Sequence, residues 1–256
     1  MHTAKPCRWR MMRAGVVLAC CAAAGCSSPA GPSGLDFEAS VPLEGGSTLA
    51  YRDGGALAAQ RERIEQVVKA TLAAVRPLLP VDGVTIVVEG ASSLVIPELG
   101  IGGRADAATV RVAFDRSSPA LADSLDGELF PLLAHELHHV ARARTVGYGS
   151  HLLGAMVSEG LADQFSVEVA SIDPPPWSSA LSAQELAHWS GRAREQWFDA
   201  DYNHGDWFFG RSPVIPRWAG YSIGFDLTAR FLEVNPGRLA SDLFAEPAAS
   251  FAAGAP

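Results

Sequence analysis

Beyond residue 26 the chain contains no cysteine; Cys7, Cys20, Cys21 and Cys26 account for all four in 256 residues. This excludes a disulfide framework and any zinc-cysteine site from the rest of the chain, whose fold must rest on its core and on any metal held by other ligands. Basic residues are also scarce there. Without Lys5, Arg8, Arg10 and Arg13, 16 basic residues stand against 28 acidic ones, a net charge of −12 that argues against nucleic acid as a partner. No later hydrophobic run is long enough to span a membrane, and no internal repeat is evident. What remains, about 230 residues of high apolar content, suffices for one well-buried domain with or without a small N-terminal subdomain.

The basic residues set aside above precede an apolar run from Ala14 to Ala24. A charged stretch followed by a short apolar one reads as a secretory signal, too short for a stable span. It closes on Ala23-Ala24-Gly25-Cys26, which resembles the lipobox of bacterial lipoproteins, where the cysteine is lipidated and becomes the first residue. Cys20 is the weaker candidate, because cleavage there leaves too little apolar core; an ordinary cleaved signal is the other reading. Residues 26–35, rich in Ser, Pro and Gly, suit a flexible tether. The expected organisation is a signal at 1–25, the tether at 26–35, a catalytic domain at 36–245 and a frayed tail at 246–256. The expected location is the bacterial cell envelope, with attachment to the membrane through a lipid on Cys26.

Within the domain, His135-Glu136-Leu137-His138-His139 interrupts an otherwise apolar segment. Histidines at i and i+4 on a helix lie about 40° apart at 100° per residue, and so offer two ligands on one face to a tetrahedral zinc ion (Zn2+). Glu136 falls to one side, near the metal but not aimed at it, where a general base for a metal-bound water belongs. Burying two imidazoles and a carboxylate among leucines is costly without such compensation. His138 lies about 60° from His135 on the other side and is expected to pack against the helix flank. His151 opens the next helix as a capping or surface residue, and His188 has no partner spacing.

Twenty residues past His139, a segment with helical apolar spacing carries Glu159 and Asp163 at i and i+4. With residues 145–150 as the turn, Glu159 returns beside the first helix as an oxygen ligand. Asp163, one turn on, is placed to accept the free ring N–H of a zinc histidine.

His135-Glu136-x-x-His139, then Glu159, then Asp163 together resemble the gluzincin metallopeptidases, the thermolysin group among them. Within that clan the likeness is to bacterial predicted zinc-dependent proteases in which Glu-Gly-Leu-Ala follows a similar His-Glu-x-x-His. It covers residues 125–168 strongly. Ser158 stands where thermolysin has an asparagine, and thermolysin's long N-terminal β-domain has no counterpart, so substrate preference does not carry over. The resemblance implies peptide or protein substrates and an α+β, mainly helical, zincin-like domain with a small sheet over the zinc-binding helix. It also implies an edge strand that binds extended peptide.

Residues 55–79 have helical periodicity and end near Pro77 and Pro80. Val84–Val88 and Thr109–Phe114 read as strands with a glycine-rich loop, residues 100–103, between them, and Thr109–Phe114 is the candidate edge. Helices are expected at 182–198, 219–234 and 239–244. A donor to the oxyanion completes the chemistry. Tyr221 opens a late helix among small residues that permit close approach, and gluzincins have a tyrosine in a comparable helix; His204, in a polar aromatic loop, is the alternative. The reading is therefore a zinc-dependent peptidase, with a zinc hydrolase of another substrate or an inactive metal-stabilised binding module as its rivals. An unliganded Glu136 argues against the last, since a structural zinc is four-coordinate through protein.

Overall fold

Short β-branched segments and longer stretches of helical periodicity alternate in the first half of the domain, and the computed structural model, which describes residues 37–252, builds a mixed sheet from the former. The signal, Cys26 and the tether lie outside the described residues. The strands are β1 (Ala39–Pro42), β2 (Thr48–Arg52), β3 (Thr85–Glu89), β4 (Ile101–Ala105) and β5 (Thr109–Phe114), in the order β1-β2-β3-β5-β4. β2, β3 and β5 are parallel neighbours; β1 and β4 run antiparallel at the two edges. Helix α1 (Arg61–Val75) is the crossover that the parallel pair β2 and β3 requires. It is shorter than its apolar period suggested, with turns at both ends.

The expected edge strand is not the edge. β5 is flanked on both sides, by β3 and by β4, and β4 is formed by the glycine-rich residues expected to be a loop. Glycines contribute no side-chain alternation, so the strand left no pattern to read, yet Ile101–Ala105 pairs with Phe114–Val110 along its whole length.

Seven more helices follow: α2 (Leu121–Gly127), α3 (Leu129–Ala143), α4 (Leu152–Ala170), α5 (Ala183–Arg194), α6 (His204–Phe208), α7 (Ala219–Val234) and α8 (Ala249–Ala252). The fold is α+β and mainly helical, as expected. Alternate residues of the sheet (Leu49, Tyr51, Ile86, Val88, Val110, Val112) pack with Ile64, Val68 and Leu72 of α1 and with Leu133, Leu137 and Val140 of α3 in one core. A second core gathers Leu152, Met156 and Leu161 of α4 with Ile223 and Leu227 of α7, Trp207, Phe208 and Phe251. Helix α4 is buried on nearly every side because it serves both cores; Phe165 belongs to the first. It crosses α7 so closely that a Cβ on Gly160 would lie 2.1 Å from the Gly224 carbonyl oxygen. No helix among the described residues is long and apolar enough to cross a membrane.

The segment expected to fray is packed up to the last described residue. Phe251 is buried with its ring 4.4 Å from that of Phe231. Arg142, itself buried, donates from Nη1 to the carbonyl oxygens of Leu243, Phe244 and Glu246 at 3.4, 3.4 and 3.1 Å, and from Nε to Ser158 Oγ at 3.0 Å. Burial lowers the guanidinium pKa only to about 10, so a full charge lies in the core, held by oxygens of the C-terminal segment.

Candidate metal centre

The two histidines of α3 and the acids of α4 meet where these helices pack against each other. His135 Nε2 lies 3.0 Å from His139 Nε2 and 3.2 Å from Glu159 Oε2, and His139 Nε2 lies 3.4 Å from the same oxygen. Ligand atoms around a tetrahedral zinc with bonds of about 2.0–2.2 Å stand roughly 3.4 Å apart. Two ring nitrogens and one carboxylate oxygen converging at these separations in a buried site fit that ion, and His135, His139 and Glu159 form a possible metal-holding group.

Asp163 sits one turn beyond Glu159. Its Oδ1 is 2.8 Å from His135 Nδ1, which places a proton on Nδ1 and turns Nε2 toward the cluster. The carboxylate is fully buried and also accepts from Trp177 Nε1 at 3.1 and 3.2 Å and from Ser178 Oγ at 2.6 Å. Ser222 of α7 in turn donates to the Trp177 carbonyl and accepts from Ala180 N, pinning this loop to the helix that carries Tyr221.

Electrostatics separates Glu159 from Glu136. Burial pushes the Glu159 carboxyl up, but His139 and His135 outweigh it and hold it well below the usual range. For His135, burial disfavours the charge, and Asp163 and Glu159 overcome that to hold its pKa well above the ordinary value. Glu136 is pushed up by burial, against the pull of His135 and His139. Its Oε2 is buried with no hydrogen-bond partner among the described residues. β4 passes directly over it: a Cβ on Gly103 would approach Glu136 Oε1 to 2.8 Å, so glycine is needed there for the strand to lie against the helix.

These groups line one cavity of about 1260 Å3, together with Gly103, Arg104 and Ala105 of β4. Residues 94–96 run beside the first half of β4, with Ile96 N donating to the Ile101 carbonyl oxygen at 3.0 Å. Tyr221 lines the same cavity. Burial and the nearby charges of Glu159, Asp163 and Glu136 raise its pKa well above the ordinary value, so it keeps its proton, and its hydroxyl bonds to no described residue. His204 is there too, with Nδ1 3.1 Å from the Tyr202 hydroxyl and its ring stacked on Phe208. His138 points elsewhere, buried against Phe165, and His151 caps α4 by accepting from Gly154 N.

Three residues of the site escaped the sequence reading. Trp177 and Ser178 lie in a proline-rich loop without periodicity. Tyr148, in the turn between the ligand helices, donates its hydroxyl to Glu159 Oε1 at 2.5 Å. The available signal was an aromatic residue between Gly147 and Gly149, both at positive φ, in a connection too short to carry it far from the ligands.

Residues 64–253 match the family described as Predicted Zn-dependent protease (DUF2268). This bears out the resemblance drawn from His135 to Asp163. No curated protein matches the chain. Among solved structures the chain is similar to an aminopeptidase N family protein from Idiomarina loihiensis, at 12% sequence identity and a TM-score of 0.42, over 83% of this chain and 40% of that one. The chain thus spans less than half the length of that protein.

Proposed function

Because the chain belongs to the family of predicted Zn-dependent proteases, we propose that it hydrolyses peptide bonds at the His135, His139 and Glu159 cluster, with Glu136 as general base. One observation carries the reading: three ligand atoms converge at zinc-like separations beside a carboxylate oxygen that is buried and unpartnered.

Zinc held by His135 Nε2, His139 Nε2 and Glu159 Oε2 would supply a Lewis acid that polarises the substrate carbonyl and makes water acidic. Glu136 takes the proton of the attacking water on its carboxylate and passes it to the departing amine nitrogen. Its burial-raised pKa makes it a stronger base and a competent acid in turn. Tyr221, protonated and unpartnered, donates to the oxygen on which charge develops. Asp163 fixes the tautomer and orientation of His135. The free edge of β4 from Gly103 to Ala105 offers main-chain groups to an extended peptide along the cavity.

The test combines metal analysis of the purified protein with cleavage profiling on a diverse peptide library. One zinc per chain and cleavage abolished by a chelator are expected. Zinc without cleavage of any peptide would move the assignment to another substrate or to a binding role.

The reading places this activity on a cell-envelope lipoprotein anchored through Cys26. Produced in a bacterium, the protein is expected to partition into the detergent phase, and Cys26→Ser to remain aqueous or unprocessed. Equal partitioning of both would point instead to Cys20 or to an uncleaved signal.

A further inference from the structure

The two carboxylate oxygens of Glu159 have different partners. Oε2 faces both histidine nitrogens, at 3.2 and 3.4 Å, whereas Oε1 accepts the Tyr148 hydroxyl at 2.5 Å. Tyr148 is itself held firmly. Its carbonyl oxygen accepts from Ser158 Oγ at 2.6 Å, so the turn is tied to the residue beside Glu159, and the buried Arg142 donates from Nε to that same hydroxyl oxygen. Its ring packs 5.5 Å from that of His139 and 6.1 Å from that of His204.

From this division of labour, and resting on the zinc site proposed above, we propose that Tyr148 is a positioning residue that restricts Glu159 to a single metal-directed oxygen. A carboxylate free to rotate can engage a metal through either oxygen or both; a strong hydrogen bond to Oε1 removes that freedom before the ion arrives. The hydroxyl acts through Glu159, and its loss is read at the metal. Partners of this kind typically change metal affinity by about 10- to 100-fold.

Tyr148→Phe keeps the ring between His139 and His204 and deletes only the donor. In the full chain, purified in detergent, the variant is expected to bind zinc about 10- to 100-fold more weakly than wild type, with the metal-free protein still unfolding in one cooperative transition. With cobalt in place of zinc, its visible absorption is expected to weaken as Glu159 engages through both oxygens and the coordination number rises. Tyr202→Phe, which removes a hydroxyl bonded to His204 and to none of the three converging residues, is expected to bind zinc as wild type does. Zinc affinity and cobalt absorption unchanged in Tyr148→Phe, with wild type binding zinc, would overturn the role of Tyr148 alone. A wild type that binds no zinc would overturn the site and this role together.

Discussion

Replacing Glu136 by glutamine is expected to leave zinc bound and the fold intact while peptide hydrolysis falls by ~10²–10⁴-fold, the usual loss when general acid-base help is removed. The amide matches the carboxylate in size, so the close passage of Gly103 above it is undisturbed, and Glu136 is not one of the three converging ligands. Its buried Oε2 has no partner to lose. Tyr221→Phe is the companion measurement, expected to retain zinc and to reduce kcat on the order of 10²-fold through the loss of one donor to the developing charge. Zinc content and turnover measured together on both variants decide the matter. Loss of zinc from Glu136→Gln would make the glutamate structural, and full activity would mean that another group is the base.

Glu159→Ala and His139→Ala are each expected to abolish stoichiometric zinc binding. The stability consequence follows from linkage: an ion that binds only the folded state stabilises it by about 4 kcal/mol at a free concentration a thousandfold above Kd. Wild type should therefore melt higher with zinc than after chelation, and neither variant should respond to added zinc. In the alanine variant of Glu159, His135 keeps Asp163 while its Nε2 loses the oxygen at 3.2 Å. One zinc per chain persisting in both variants would refute the ligand set.

Helices α3, α4 and α7 were all legible, α7 to the residue, because their apolar residues extend over four or more turns. That His135, His139, Glu159 and Asp163 would meet was legible because i, i+4 pairs on one face depend only on helix geometry. What failed was whatever depends on a partner distant in sequence. β1 and β2 are short and at or near an edge, so they carry little pattern. β4 is a strand because β5 pairs with it and because Glu136 occupies the space a side chain at Gly103 would need. Tyr148 looked like a turn residue, since its phenol finds Glu159 only once α3 and α4 fold back on each other. The C-terminal segment, rich in Ala and Pro, looked unanchored because the anchor is Arg142, roughly a hundred residues earlier.

That buried arginine determines how the protein can be handled. Among the described residues, three of the four groups receiving its hydrogen bonds are carbonyl oxygens of Leu243, Phe244 and Glu246; the fourth is Ser158, next to Glu159. A truncation ending at Asp242 strips those three acceptors from the Arg142 guanidinium, and the disturbance arrives at the Ser158 and Tyr148 contact. Shortening the chain at its far end is thus an edit to the cavity around His135, His139 and Glu159, and a fusion partner or affinity tag at that end belongs after Phe251, leaving the segment that carries the three carbonyls intact.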